Sequence, residues 1–177
     1  MKKVERPANL MQRPGIEKVV VNISVGESGE PLQKATKVLN QLTGHTPCQR
    51  TAKKTIRDWG IHSKEPIACL VTLREEAAPE FLKRAFNAAG NRLSRSNFDL
   101  NGNFAFGIRK HIDLPRVRYD PELGIVGMDV CVTMAKPGYR VKARRLAKAR
   151  VGKRQRMTPE ESIEYVKEAF GISVLEE

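Results

Sequence analysis

The chain has 177 residues, which fits one domain with room for an appendage. Hydrophobic residues make up 40% of it, enough for a core, yet no apolar stretch is long enough to span a bilayer, so no membrane partner is expected. Lys and Arg outnumber Asp and Glu by 32 to 20, a net charge of +12, which favours a polyanionic partner such as nucleic acid. The N-terminus lacks the apolar segment of a secretory signal, which predicts a cytoplasmic protein.

Four segments of the chain are predicted to be extended. Ile16–Val25 and Met128–Met134 alternate apolar and polar side chains, which is the pattern of a strand with one buried face. Ile67–Leu73 is strongly apolar and predicts a further strand. Cys48–Ile56 is polar and basic and is interpreted as another extended segment, while the region from residue 104 to residue 119 predicts short strands and loops.

Three segments carry helical patterns. The first starts near Pro31, repeats leucines and alanines at helical spacing, and ends at Gly44. The second is predicted to open at Pro79, with an apolar stripe that runs as far as Leu93. The third follows Thr158, which with Pro159 and Glu161 matches a capping box. The residues between Tyr139 and that helix carry only a weak helical stripe.

Strands and helices therefore interleave along the chain. This order favours an α+β fold, an antiparallel sheet with helices packed on one face, plus a basic C-terminal extension that ends in a short helix. We expect residues 1–139 to form the α+β RNA-binding domain and residues 140–177 to form the extension with its terminal helix. The uncovered sheet face is left free to bind a partner.

The positive charge is concentrated near the end of the chain. Residues 140–156, here named the basic belt, hold nine cations and no acid, whereas residues 157–177 hold six glutamates and one lysine. Arginine and lysine bind phosphate oxygens, and nine cations repel one another unless a polyanion lies alongside. We therefore favour RNA contact over a solvated basic helix; a membrane-surface helix is less favoured because the stripe lacks Trp and Phe. The nine are Arg140, Lys142, Arg144, Arg145, Lys148, Arg150, Lys153, Arg154 and Arg156.

A second basic segment, residues 49–64, mixes cations, hydroxyls and amides with the only tryptophan, Trp59. RNA recognition uses this mixture, because cations hold phosphates, hydroxyls bind sugars and aromatic faces stack on bases. A packing role for Trp59 is an equally good interpretation.

No catalytic, cofactor or metal pattern is found. The three cysteines are widely spaced with no CxxC pair, the three histidines are far apart, and the aspartates follow no catalytic spacing. We therefore expect no cofactor, no metal and no enzymatic reaction.

Ten segments of the chain, in order along nearly its whole length, form one recognisable set. They are Lys18–Ser28, Gln41–Pro47, Ala52–Ile56, Gly60-Ile61, Ile67–Arg74, Asn101–Ile108, His111–Leu114, Tyr119–Pro121, Gly124-Ile125 and Lys136–Tyr139. Together they resemble, in register, the universal large-subunit ribosomal protein L-five family (eukaryotic L-eleven). The extension around Gly152–Thr158 is similar to the archaeal and eukaryotic branch, which suggests an archaeal source.

This resemblance implies a structural, non-enzymatic role in the central protuberance of the large ribosomal subunit. The implied partners are 5S rRNA, large-subunit (23S-type) rRNA, P-site tRNA, a small-subunit head protein at an intersubunit bridge, and neighbouring large-subunit proteins. Besides the basic belt, the rRNA-binding residues would be Asn22, Ser24, Gly26, Gln41, Thr43, Gly44, Arg50, Lys53, Lys54 and Thr55. The tRNA-contacting loop would use Arg57, Trp59, Gly60, Ile61, His62 and Lys64, and the bridge Asn97, Asp99, Asn101, Gly102 and Asn103.

Two positions depart from the family pattern. His62 stands where the family usually has a cation, and Trp59 where phenylalanine is usual. A neutral His62 would attract phosphate more weakly. Two other functions stay open at this point: a regulatory or chaperone RNA binder outside the ribosome, and an RNA-modifying enzyme, which would need a catalytic set that the sequence does not offer.

Overall fold

The computed structural model describes residues 9–115, 117 and 120–175, so Tyr119 of the resemblance lies outside the described residues. Seven strands and four α-helices alternate along this part of the chain. The strands are β1 (Gly15–Ser24), β2 (Cys48–Thr51), β3 (Pro66–Leu73), β4 (Arg92–Ser94), β5 (Phe104–Ile108), β6 (Met128–Ala135) and β7 (Ser173–Leu175). The helices are α1 (Glu30–Thr43), α2 (Ala77–Ala88), α3 (Arg140–Ala143) and α4 (Pro159–Phe170).

Five strands form one antiparallel sheet in the order β2-β3-β1-β6-β5, with β1 at its centre. The alternation of β1 is confirmed, since Val19, Val21 and Ile23 are fully buried while Ser24 is exposed. The register sets Val21 beside Val71 on β3 and beside Val130 on β6, so the inner side chains of three strands form one apolar surface. The predicted α+β class is confirmed.

Helices α1, α2 and α4 cover that apolar surface, whereas α3 contributes no buried residue to it. Leu39 of α1, together with Phe81 and Phe86 of α2, is almost completely buried in the resulting core. The Phe86 ring stacks on Phe106 of β5 at 5.1 Å between centroids and meets Phe170 of α4 edge-on at 5.2 Å. The last helix is therefore part of the main core, although its sequence lies beyond the basic belt.

The predicted apolar stripe of α2 was too long. The helix ends at Ala88, because Gly90 and Asn91 both adopt left-handed backbone angles (φ 72° and 54°), which a helix cannot continue through. Leu93 is not on the helix: it lies buried in β4, which pairs in parallel with β7 at the end of the chain. Local periodicity could not reveal a partner strand that follows about 80 residues later.

Two other expectations were wrong in extent. The extended segment predicted from Cys48 to Ile56 is a strand only as far as Thr51, where the chain turns into a loop closed by the Ala52 N–H donating to the Glu65 carbonyl at 2.8 Å. The weak helical stripe of the basic belt gives only the four residues of α3, because too few apolar side chains are present to hold a longer helix against the body. The capping box at Thr158 is confirmed.

Candidate nucleic-acid interface

The side of the sheet away from the helices, here called the open face, carries polar side chains from its central strand. Asn22 and Ser24 point to it from β1, and the Asn22 amide donates to the Ser24 hydroxyl at 3.0 Å. Ser24 and Arg50 both stand beside Ala68, so a hydroxyl and a guanidinium flank one small residue across three strands, about 10 Å apart. One carboxylate also faces this side, since Asp129 of β6 is the partner of Asn22.

The end of α1 presents backbone and amide groups rather than charge. Gly44 adopts φ 68° and its N–H caps the helix by donating to the Asn40 carbonyl at 2.7 Å. The Thr43 hydroxyl donates to the Leu39 carbonyl at 2.7 Å, so its proton is already used within the helix, whereas Gln41 is exposed. A helix C-terminus carries partial negative charge, so this end suits sugar or base contacts better than phosphate.

The loop between β2 and β3 is a small ordered hairpin. Ile56 and Ile61 bond to each other through both backbone groups, at 2.9 and 3.1 Å, and Ile61 is buried at the base of the loop. Gly60 turns the chain with φ 66°, and Trp59 stands at the tip with 73% of its surface exposed. The interpretation of Trp59 as a packing residue is therefore wrong. In this loop the packing residue is Ile61.

Hydrogen bonds fix the far side of this loop. The Glu65 carboxylate accepts from the Ser28 hydroxyl at 2.5 Å and from the His62 N–H at 2.9 Å, and the Thr55 hydroxyl accepts from the Ser63 N–H. The bond from Ser28, followed by that from the His62 N–H, holds the pKa of Glu65 below its usual range. The carboxylate thus ties the loop to the turn before α1, and leaves Lys53, Lys54, Arg57 and Lys64 exposed.

The basic belt leaves all nine of its cations exposed. The ion pairs that join Lys34 to Glu30 and Lys136 to Glu161 involve none of them, within the ranges that the structure describes. The Arg144 Nε donates to the Ala147 carbonyl at 2.8 Å and the Arg156 Nε to the Val151 carbonyl at 3.3 Å, so their guanidinium groups help to shape the belt itself. The belt is a dense cationic surface.

Both ends of the belt are anchored to the folded body. The Tyr139 hydroxyl accepts from the Met157 N–H at 2.8 Å, and the Gln155 amide donates to the Pro137 carbonyl at 2.9 Å. Lys136 continues the inward side of β6, is only 5% exposed, and donates to the Glu161 carboxylate at 2.7 Å. This lysine was not predicted from the sequence, although the period-2 alternation of Met128–Met134 extends to it.

The loop of residues 97–103 is a tight turn packed beneath α4. The Asp99 N–H donates to the Asn103 carbonyl at 2.7 Å and the Gly102 N–H to the Asp99 carbonyl at 2.9 Å. Gly102 is buried, and its carbonyl accepts from the Ser162 hydroxyl of α4 at 2.7 Å. Asp99, Leu100 and Asn101 are exposed in this turn, and Leu100, with 87% of its surface accessible, was not selected from the sequence. Its place in an Asp-Leu-Asn-Gly turn was the available signal.

The described residues hold no catalytic or metal-binding arrangement. No group of three or more His, Cys, Asp or Glu side chains is close enough to hold a metal among them. His111 is buried and its Nδ1 accepts from the Val126 N–H at 3.2 Å, which is a structural bond. The cysteines are free thiols, and none of the described helices is long and apolar enough to cross a bilayer.

The fold, the open face and the basic belt together define a class of protein. It is a small basic α+β protein whose exposed cations suit a polyanion, and its polar groups form no reaction centre in the described part of the chain. Comparison with known families narrows this class. The family model for the C-terminal part of the ribosomal L5 family matches residues 66–165, and the model described as "Ribosomal protein L5" matches residues 9–62. The chain therefore belongs to the ribosomal protein L5 family, as the resemblance predicted. This is a family of structural proteins rather than enzymes, which confirms the expectation that the chain catalyses no reaction.

The chain matches curated relatives in sequence along almost their full length. The chain is 55% identical to the large ribosomal subunit protein uL5 of Pyrobaculum aerophilum over 93% of its own length and 92% of the relative's. It is 48% identical to the uL5 proteins of Methanosphaera stadtmanae and Sulfolobus acidocaldarius, covering 94% and 95% of this chain and 99% and 94% of those proteins. These relatives are archaeal, and the predicted archaeal type is confirmed.

Proposed function

We propose that the chain is a structural constituent of the large ribosomal subunit in the cytoplasm, where it binds 5S rRNA and 23S-type rRNA in the central protuberance. The observation that carries this proposal is the anchored belt of nine exposed cations. A belt held at both ends by Tyr139 and Met157 keeps its charges close to the body, so their repulsion is relieved best by a phosphate backbone lying against it. Family membership and the uL5 relatives support the ribosomal setting.

The 5S rRNA contact is proposed for the open face and its rim. Asn22 and Ser24 offer an amide and a hydroxyl from a rigid central strand, and Arg50 adds a cation in the same row. Lys53, Lys54 and Thr55 follow at the rim. The neighbouring groups are Gly26 in the turn after β1 and, at the C-terminal end of α1, Gln41, Thr43 and the cap residue Gly44. Rigid polar groups beside cations suit RNA because the groups read shape and sugar edges while the cations neutralise phosphates.

The P-site tRNA contact is proposed for the hairpin loop that carries Trp59. An indole that is 73% exposed at the tip of a hydrogen-bonded turn can stack on a base or sugar without rearrangement. Arg57, His62 and Lys64 lie exposed around it, while Gly60 shapes the turn and Ile61 anchors it.

The intersubunit bridge to a small-subunit head protein is proposed for the turn of residues 97–103, where Leu100 provides an apolar contact beside Asn97 and Asp99. Asn101 and Asn103 of the same turn line a cleft against the basic belt. Gly102 is buried, so it would support the turn instead of touching the partner.

Filter binding to 5S rRNA across a salt series tests the electrostatic basis. Replacing Lys53 and Lys54 together with glutamine should make the plot of log affinity against log salt shallower by about 1.4–1.8, because each phosphate contact contributes about 0.7–0.9 to the slope. The matched control is the double replacement Lys37→Gln/Lys83→Gln on the outer surfaces of α1 and α2, which removes the same charge away from the open face and should change the slope little.

Two results would contradict the proposal. One is an affinity that hardly changes with salt, and the other is equal affinity for 5S rRNA and an unrelated transcript of the same length. Co-sedimentation separates the ribosomal role from that of a free RNA chaperone, since a structural constituent travels with large subunits at near-unit stoichiometry.

A further inference from the structure

A cleft of about 340 Å³ lies between the basic belt and the folded body. Its walls are formed by three segments that are distant in sequence. These are the turn before β5, the C-terminal end of β6, and α3 together with the rest of the basic belt. The side chains that matter for recognition are Asn101, Asn103, Tyr139, Lys142, Arg150 and Arg156, and the floor is formed by Met134 and Met157, both almost fully buried.

The lining is rich in hydrogen-bond donors whose orientation the structure fixes. The Asn103 Oδ1 accepts from the Met134 N–H at 3.2 Å, so its Nδ2 must present donors. The Tyr139 hydroxyl already accepts from the Met157 N–H, which leaves its own proton to donate. Lys142 is held with its Nζ 4.8 Å from the Tyr139 ring centroid. No carboxylate lines the cleft among the described residues, so donors and cations face a space that favours an anionic occupant with acceptor atoms.

The belt must fold back on itself to form this site. Ala147 adopts a left-handed conformation (φ 50°), which costs a non-glycine residue about 1–2 kcal/mol, and the Arg144 Nε closes the turn on its carbonyl. After the turn, the Ala149 N–H donates to the Val141 carbonyl at 3.2 Å. Cations that are well separated in sequence, Lys142, Arg150 and Arg156, are thereby brought to one cleft, which a continuous helix or an extended arm would not do.

The size and chemistry of the cleft indicate its occupant. Its volume is at the lower end of the about 300–1,000 Å³ of small-ligand sites, larger than one phosphate needs. The Asn101 Nδ2 donates to Asp99 at 3.3 Å, which leaves its carbonyl oxygen for a partner that donates. An amide acceptor, an amide donor, an apolar floor and a cluster of cations match a nucleotide, whose base edge carries both hydrogen-bonding types and whose phosphate is anionic.

We propose that this cleft binds a single unstacked RNA nucleotide, with its phosphate on Lys142, Arg150 and Arg156 and its base edge on the amides of Asn101 and Asn103. The proposal rests on the rRNA-binding function proposed above and specifies one contact of the belt. Unpaired nucleotides turned out of loops and bulges are the elements that proteins read most readily in RNA.

The test follows the methionine methyl groups by NMR in the full chain, with AMP, UMP and inorganic phosphate as probes. Met134 and Met157 report on the cleft floor, and Met128 at the other end of β6 is the internal control. We expect either nucleotide to shift the Met134 and Met157 signals and leave Met128 unchanged. Lys142→Gln/Arg150→Gln should weaken nucleotide binding about tenfold or more, because charge-assisted hydrogen bonds are lost.

The matched control removes two belt cations that do not line the cleft, Arg145→Gln/Lys148→Gln, and should weaken binding less than about twofold. Any one of three results would overturn the proposal: equal losses of nucleotide affinity in the two double variants, no methyl shift with either nucleotide, or the same affinity for inorganic phosphate as for AMP and UMP. Filter binding of the unaltered chain to 5S rRNA is run in parallel. If its salt dependence and 5S preference persist while the NMR test fails, only the nucleotide site is lost; if they are absent, the proposed function itself fails.

Discussion

Replacing Gly102 with alanine should destabilise the fold more than any ordinary surface change, because this residue lies directly beneath α4. A β-carbon at this position would clash with the Ser162 Oγ and would come within 2.8 Å of both the Met157 Cγ and the Thr158 carbonyl oxygen. The backbone is also left-handed here, with φ 73°. Helix α4 must therefore shift, and the bond from the Ser162 hydroxyl to the Gly102 carbonyl should weaken or break.

Three costs set the size of the effect. A left-handed alanine costs about 1–2 kcal/mol, the lost hydrogen bond about 1 kcal/mol, and overpacking about 1–3 kcal/mol. The free energy of unfolding should fall by about 3–6 kcal/mol, a large part of the roughly 5–15 kcal/mol typical of a domain. Gly124→Ala is the matched control, since Gly124 has a nearly identical φ of 71° but a β-carbon added there would meet nothing within 4 Å. It should cost only the conformational part, about 1–2 kcal/mol.

Urea unfolding followed by far-ultraviolet circular dichroism measures both variants. Tryptophan fluorescence would be a poor reporter, because Trp59 is already exposed in the folded chain. The difference between the two variants isolates the steric and hydrogen-bond cost and should be about 2–4 kcal/mol. Equal losses for Gly102→Ala and Gly124→Ala would refute the tight packing of α4 on this turn.

Three further predictions concern the surface. Trp59→Ala should leave the free energy of unfolding nearly unchanged but weaken P-site tRNA binding to reconstituted large subunits by about tenfold, since stacking contributes about 1–3 kcal/mol; unchanged binding would count against a stacking role. The pKa of Glu65 is lower in the folded chain than in the unfolded chain. The hydrogen bonds of its carboxylate therefore stabilise the hairpin loop at pH values above the unfolded pKa, and this stabilisation is lost as the pH falls through the folded pKa. Hydrogen exchange of the His62 N–H should show the loss, and Glu65→Gln should remove the pH dependence. Maleimide should modify exposed Cys48 and Cys131 before buried Cys69. Burial raises the pKa of both Cys69 and Cys131, so access to the reagent should separate these two thiols. Bound 5S rRNA should protect Cys131 on the open face, and equal modification with and without RNA would oppose that interface.

The parts of the fold that could be predicted from the sequence are those whose signals are local. The alternation in β1 and β6 indicated both the strands and their buried sides, and the cap at Thr158 indicated the start of α4. Leu93 could not be assigned correctly, because its place in β4 depends on pairing with the chain's last described strand. Non-local pairings leave no trace in a short window of sequence.

The candidate interface divides in the same way. The charge of the basic belt is visible from composition alone, and so is the mixture of cations with Trp59. The convergence of Lys142 and Arg150 on one cleft is not, because it depends on a turn at Ala147, and alanine gives no signal for a left-handed backbone. Gly102 shows a related limit: Asn-Gly-Asn predicts a turn, but only the position of α4 explains why the turn is buried.

The bond between Tyr139 and Met157 has a consequence for how far the belt can extend. A free arm of this length could stretch about 60 Å from its root, at about 3.3–3.6 Å per residue, but a segment fixed at both ends must go out and return. Its reach is therefore about 30 Å, and its contour is a loop. A segment closed at both ends samples a much smaller volume than a free terminal arm and loses less conformational entropy when it binds. The belt is therefore suited to a partner that already lies beside the protein rather than to a distant one.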